Sequence, residues 1–308
     1  MGLGSGPHVH AQNYPPGPVK IIIPFSPGGP TDTIGRLLAQ RLQEIWGQPV
    51  IVDFKPGAGS TIGVDYVAKS KPDGLTVGMI NASFAVNPSL RKSLPYDTVN
   101  DIAPITQVAG LQVAIAVRPD APFTTLPEFI AYAKKNPEKI SFGTPGTGST
   151  PHMAAELLKS RAGISMVHVP FKGSAPAHVE LMGGRLDLVI DPLSSLAPHV
   201  AAGRMKILAT MGQRRVSGYD YPIVAETVPG VHAVALLGFI APRATPRPVI
   251  HKIQSDIASI LKEDAVRKRI EEQGMEVVGS TPEQFETFVR SEIQRWGEVV
   301  KAAGIEAE

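Results

Sequence analysis

From residue 19 onward, short apolar runs alternate with longer segments whose apolar positions recur every three or four residues. Val19 to Pro24 is a continuous apolar run, the pattern of a strand buried on both faces. Thr33 to Trp46 places Ile34, Leu37, Leu38, Leu42 and Ile45 on one helical face. Gly47 follows, where a left-handed residue would close that helix. Val50-Ile51-Val52 predicts a second strand, followed by a helix carrying Val64, Val67 and Ala68. Leu75 to Ile80 predicts a third strand. This βαβαβ rhythm implies a parallel sheet with helices on both faces.

The rhythm then restarts. Strands are expected at Val113 to Val117, Ile140 to Phe142, Met166 to Val169, Leu186 to Ile190 and Ile207 to Thr210. Helices are expected at Leu126 to Asn136, capped by Thr124 or Thr125, at Pro151 to Arg161, with Gly163 after it, and at Ala175 to Met182. Past a strand at Leu236 to Ile240, three amphipathic helices are expected at Pro246 to Lys262, Asp264 to Gln273 and Pro282 to Ala303. A helical tail of this kind can pack back on the first unit. The expectation is therefore an α/β, two-lobed chain with a discontinuous lobe 1 (14–105 and 236–308) and a lobe 2 (106–235). The chain crosses between them near 105 and near 235. Residues 1–13 are rich in Gly, Ser and His and lack an apolar core segment, so they read as a leader joined to a chain whose signal peptide was removed.

Composition narrows the class. The chain has 308 residues, 43% hydrophobic and 19% charged, with net charge +2 and no run of five like charges. That balance argues against a nucleic-acid binder. Cysteine is absent, which excludes a disulfide framework, a thiolate metal site and a cysteine nucleophile. It also suits an oxidising compartment. No apolar stretch reaches the ~18–20 residues of a membrane span.

The chemistry concentrates in two glycine-rich turns, each between an apolar run and a helix start. One runs Phe25-Ser26-Pro27-Gly28-Gly29-Pro30-Thr31-Asp32. The other runs Gly143-Thr144-Pro145-Gly146-Thr147-Gly148-Ser149-Thr150-Pro151-His152. A helix N-terminus offers unpaired N–H groups and the positive end of the helix dipole, so each turn favours an anion. Neither contains Lys or Arg. Held by neutral donors, a small carboxylate can later be released. Taken alone, the first turn is equally well explained as turn chemistry, with Thr31 or Asp32 as an N-cap. Ser149 and Thr150 add hydroxyls to the second. Asn81-Ala82-Ser83 ends a predicted strand, the end where ligands gather in open α/β sheets. Asp191 also ends a strand; buried there, it needs hydrogen-bond donors from neighbouring turns or from a ligand amine. Lys172 is the one cation near a predicted strand end in lobe 2.

Other chemistries fare worse. There is no Walker A motif, and Gly57-Ala58-Gly59-Ser60-Thr61-Ile62 departs from a dinucleotide fingerprint at Ile62. Asn81 stands where a ribose-binding acid would be. Neither a G-x-S-x-G elbow nor H-E-x-x-H occurs. The eight histidines lack metal-ligand spacing, and no cofactor is implied. His152, His168 and His199 read first as structural. A Ser/His hydrolase built on Ser149 or Ser83 with His152 is the enzyme alternative.

Taken in order, several stretches resemble the Bug family, the periplasmic solute receptors of tripartite tricarboxylate transporters. They are Ile23-Pro24-Phe25-Ser26-Pro27-Gly28-Gly29 with Asp32 and Arg36, Gly47-Gln48-Pro49-Val50, Lys55-Pro56-Gly57-Ala58-Gly59, and Val67-Ala68 through Pro72-Asp73-Gly74. Further on come Phe142-Gly143-Thr144-Pro145-Gly146-Thr147-Gly148-Ser149 with His152, Val169-Pro170-Phe171-Lys172-Gly173, Gly184-Arg185-Leu186-Asp187, and Ala197-Pro198-His199 to Gly203. They span nearly all of the chain after residue 14. The resemblance implies a type II periplasmic binding protein fold, non-enzymatic and periplasmic, whose lobes close on a small organic acid for delivery to a membrane permease; the ordinarily charged composition makes a monomer the default expectation. A soluble receptor signalling to a partner would show the same sequence. Carried over, the implied ligand residues are Phe25, Ser26, Gly28, Gly29 and Asp32 from the first turn. The second gives Thr144, Gly146, Thr147, Ser149 and Thr150. Ser83, Phe171, Lys172 and Asp191 complete the cleft. Phe171 stands where Tyr is common in the family, and Pro30-Thr31 where small residues are usual. Candidate ligands are dicarboxylates, tricarboxylates such as citrate, acidic amino acids, and aromatic carboxylates such as terephthalate. Phe25, Phe84 and Phe171 lean toward an aromatic body if they face the cleft, and toward none if they pack in the core.

Overall fold

The computed structural model describes residues 14–305 apart from 29, 172, 213–214, 216–218 and 273–274. The expected leader lies outside the described residues, as do Gly29, Lys172 and the end of the helix expected to reach Gln273. The first half of the fold runs β1 (Val19–Ile23), α1 (Pro30–Trp46), β2 (Val50–Phe54), α2 (Thr61–Ala68), β3 (Thr76–Asn81), α3 (Ser83–Leu90) and β4 (Ile102–Val117). There follow α4 (Leu126–Lys135), β5 (Ser141–Thr144), α5 (Thr150–Ala162), β6 (Val167–Pro170), α6 (Ser174–Met182), β7 (Leu188–Pro192), α7 (Leu193–Ala201) and β8 (Lys206–Thr210). The chain ends with α8 (Val224–Thr227), β9 (Val234–Pro242), α9 (Arg247–Ile260), α10 (Asp264–Glu271), β10 (Met275–Val277) and α11 (Pro282–Ala302). Among the described residues no helix is long and apolar enough to cross a membrane.

Two sheets share one strand. β2, β1 and β3 pair in parallel, as the βαβαβ rhythm predicts, but β9 adds antiparallel to β3 and β4 antiparallel to β9. The first sheet is therefore mixed, because β9 enters it late in the chain and beside a crossing strand. β4 pairs with β9 over Ile102 to Gln112, then with β7 over Val113 to Val117. β5 and β6 extend that second sheet in parallel, and β8 pairs on the other side of β4. The first part of β4 escapes pattern reading because Pro104, Thr106, Gln107, Gly110 and Gln112 break the apolar run. Yet Thr106 and Gln107 are buried, and Ser280 satisfies them: Thr106 Oγ1 donates to its carbonyl at 2.7 Å, and Gln107 N–H to its hydroxyl at 2.9 Å. Helices α3 and α7 were likewise not expected, each containing an internal proline, Pro88 and Pro198.

Each sheet has its own core. The predicted face of α1 buries Ile34, Leu38 and Leu42 against Ile21 and Ile23, while Ile45 stays exposed. Each full burial contributes about 1.5–3 kcal/mol. The second core gathers Phe129, Phe142, Leu158 and Ile190. Helix α11, opened by a Thr281/Gln284 capping box, joins a further apolar cluster on the first sheet to the second core. Its Phe285 and Val289 pack with Ile22 and Phe84, and its Trp296 and Val300 with the second core.

Candidate functional site

A cavity of about 260 Å³ lies between the sheets. Its wall is made largely from the first residues of helices: Thr31 of α1, Ser83 of α3, Thr150 and Pro151 of α5, Ser174 of α6, and Pro192 just ahead of α7. Every one of these helices follows a strand, so the alternation brings five helix N-termini to one place. Unpaired backbone N–H groups and aligned peptide dipoles make that place favourable for negative charge. The rest of the wall is Asn81, Ala82, Leu111, Pro145, Gly148, Ser149, Leu236 and Leu237. Among the described residues no aromatic side chain lines it. A second cavity, about 240 Å³, shares Ser83, Pro145, Gly148 and Ser149 and adds Asn87, Leu90, Arg91 and Thr147.

The second glycine turn is braced from below. Gly146 carries φ +154° and its carbonyl accepts the hydroxyls of Ser149 at 2.7 Å and Thr144 at 3.3 Å, plus the Ser149 N–H at 3.2 Å. Gly148, φ +73°, donates its N–H to Nδ1 of His152 at 3.1 Å. His152 stacks on His168 with ring centroids 4.0 Å apart, and His168 on Phe142 at 4.9 Å. His168 Nε2 lies 2.7 Å from Thr144 Oγ1. With Nε2–H donating to Thr144 and Thr144 donating to Gly146, both contacts are satisfied in one direction. Burial pushes His168 down to about 3, helped by the neighbouring His152 and Lys159. Burial also lowers His152, against the pull of Glu156.

Both rings take up a proton more readily in the unfolded chain, so the neutral stack contributes stability that is present above their ordinary value of 6.5. That stability drains away as the pH falls from 6.5 toward about 3. The thermal midpoint is expected to drop over this window, and His168→Gln, which keeps an N–H donor for Thr144 and cannot titrate, is expected to flatten the drop. An unchanged slope in the variant would count against the stack as its source.

Several residues singled out from sequence stand elsewhere. Asp32 braces the first turn, accepting Gly28 N–H at 2.8 Å and Arg36 Nε at 2.6 Å, while Thr31 beside it lines the cavity. Ser26 and Gly28 are exposed, Thr144 is buried beneath the second turn, and Gly146 and Thr147 border the second cavity. Phe84 is fully buried in the first lobe's packing, and Phe25 and Phe171 pack against the cores rather than lining the cavity. Asp191 is 1% exposed. Its Oδ1 accepts Ser174 Oγ–H at 2.9 Å, and its Oδ2 accepts Ser195 Oγ–H at 2.7 Å and lies 2.6 Å from His178 Nε2. Ser83, Ser149 and Thr150 line the same cavity.

Sequence reading missed Ser174, Asn81 as a side chain, and the leucines at 111, 236 and 237. The leucines border the crossing expected near 235 or sit on the unrecognised part of β4, which was the available signal. The Ser/His enzyme alternative finds no pair. The ring Nδ1 of His152 is occupied by Gly148 N–H, and Ser149 Oγ accepts the backbone N–H of His152 as an N-cap. Among the described residues no group of three or more acids and histidines is placed to hold a metal.

A family model described as tripartite tricarboxylate transporter family receptor matches residues 34–305. The chain is similar to Protein BugT of Bordetella pertussis, 35% identical over 300 residues, with 96% of this chain and 92% of that protein covered. Among solved structures it is similar to an R. palustris protein determined with adipate, at 32% identity and TM-score 0.82, covering 96% of this chain and all (100%) of that one. It is also similar to MatC of Rhodopseudomonas palustris with bound malate, at 29% identity and TM-score 0.77, covering 93% and 100%.

Proposed function

Since the chain belongs to the tripartite tricarboxylate transporter receptor family, a family of solute-binding proteins and not of enzymes, we propose that it captures a small aliphatic dicarboxylate in the cavity between its sheets. The observation that carries this reading is the meeting of five helix N-termini on a cavity whose apolar wall is leucine and proline. N–H groups at the helix starts take the carboxylates, and Leu111, Leu236 and Leu237 cover the chain between them. Among the described residues the hydroxyls of Thr31 and Thr150 have no protein partner and add donors. Aromatic acids are disfavoured, because Phe84 is buried and Phe25 and Phe171 pack against the cores, away from the cavity lining. Solved relatives with adipate and malate are in keeping with an acid of this class.

The two-sheet plan supports a transport role. Lobe 1 is residues 14 to about 112 with the chain from 234 on, and lobe 2 is the segment between. The hinge sits where β4 leaves β9 for β7, between Gln112 and Val113, next to the Met211 N–H to Val113 C=O bond at 2.7 Å. Closure about this hinge brings Thr31 and Asn81 from one lobe onto an acid held by Thr150 of the other. Only contacts made better in the closed form drive that motion. The closed form is then presented, outside the cytoplasm, to a membrane permease. Several hydrogen bonds to charged groups, each about 1.5–3 kcal/mol, suffice for micromolar affinity once ordering costs are met.

The test is thermal unfolding against succinate, adipate, citrate, glutamate and terephthalate, with neutral controls. A ligand at a thousandfold its Kd stabilises by about 4 kcal/mol, which raises the midpoint by several degrees. The aliphatic dicarboxylates are expected to give the largest rise. A rise with terephthalate alone would overturn the aliphatic reading, and none with any acid, after unfolding to strip bound small molecules and refolding, would overturn the carboxylate reading.

A further inference from the structure

Three serines line the cavity, and each has spent its proton inside the protein. Ser83 donates to Asn81 Oδ1 at 2.7 Å, Ser149 to the Gly146 carbonyl at 2.7 Å, and Ser174 to Asp191 Oδ1 at 2.9 Å. The first two acceptors are neutral, so those hydroxyls can rotate toward an anion at modest cost. Ser174 differs. Its acceptor is a carboxylate held in the interior, with its other oxygen fixed by Ser195 and His178. A hydrogen bond to an ionised acceptor is about twice as strong as a neutral one, and turning the proton away would leave a buried carboxylate oxygen short of a donor. The Ser174 hydroxyl therefore offers the cavity only lone pairs.

This places an acceptor within a ring of donors. Ser174 is the first residue of α6, so the N–H groups beginning that helix favour a carboxylate, while the adjacent Oγ repels one and welcomes O–H or N–H. Resting on the carboxylate reading above, we infer that Ser174, oriented by Asp191, selects acids that carry a hydrogen-bond donor on the carbon next to a carboxylate: 2-hydroxy or 2-amino dicarboxylates in preference to unsubstituted ones. The carboxylate meets the helix start and the neighbouring donor meets Ser174 Oγ. An unsubstituted acid leaves that oxygen desolvated and without a partner.

The experiment is titration calorimetry at two chain lengths: succinate, malate and aspartate, then adipate, 2-hydroxyadipate and 2-aminoadipate. At the chain length that fits, the substituted acids are expected to bind on the order of tenfold more tightly than the unsubstituted one. The hydroxy and amino arms show which donor is taken. Ser174→Ala is expected to erase the difference between substituted and unsubstituted acids, and Ser174→Thr to restore it. Succinate or adipate bound as tightly as its substituted counterparts, or a preference that survives Ser174→Ala, overturns the inference and leaves the dicarboxylate reading standing. Absence of binding by all six acids overturns both.

Discussion

Gly148→Ala is expected to lower carboxylate affinity by roughly tenfold to a hundredfold. Gly148 borders both cavities and holds φ +73°, where an L side chain is strained by about 1–3 kcal/mol. Its new Cβ would also stand 2.4 Å from Cδ1 of Leu90, on α3 of the other lobe. The turn can relax only by giving up the Gly148 N–H bond to His152 and drawing back from the cavity, and a ligand must then repay that relaxation to bind. Gly163→Ala is the control. It carries the same kind of strain, φ +62°, in open space at the far end of α5, so it is expected to cost stability and spare affinity. Adding Leu90→Ala to Gly148→Ala separates the contact from the backbone strain, recovering only the former. Calorimetric affinity within twofold of the parent would remove the second glycine turn from the site.

Alanine at Gly28 or Gly146 would not crowd the turns. Gly28 faces open space, and at Gly146 a Cβ would come only within 3.4 Å of the Phe171 carbonyl. Their need for glycine comes from positive φ, +94° and +154°.

What the sequence made legible is local. A strand, a glycine turn and a helix start are contiguous in the chain, so Thr150 and Ser149 could be placed without knowing the fold. The roles of the aspartates were not legible, because they depend on partners brought from elsewhere. Asp191 is closed off by Ser174 and His178, seventeen and thirteen residues away. Asp32 looked free to meet a ligand because the fold of the turn back onto it, through Gly28 N–H, is invisible in a one-dimensional pattern. Phenylalanines gave no discrimination, since a hydrophobic position has the same signature in a core as in a cleft. The crossing strand, β4, was hidden for a different reason. It buries Thr106, Gln107 and Gln112, and buried polar residues read as loop until their partners are seen.

Asp191→Ala is expected to be the most destabilising single change near the site. The carboxylate gathers two serine hydroxyls and the His178 ring, and His178 is itself 3% exposed. Removing it takes the acceptor from the buried His178 ring and from Ser174, and leaves Ser195 only the Pro192 carbonyl at 2.7 Å. Breaking a buried, hydrogen-bonded charged group costs about 3–5 kcal/mol. For a chain of this size that lowers the thermal midpoint by on the order of ten degrees. The loss belongs to the network rather than to the carboxylate alone. His178→Ala combined with Asp191→Ala is therefore expected to cost clearly less than the sum of the two single changes, as groups sharing one hydrogen-bond network do. Strict additivity in denaturant unfolding, or a midpoint within two or so degrees of the parent for Asp191→Ala, would show that the network does not anchor the second lobe. It would also take away the fixed acceptor on which the orientation of Ser174 depends.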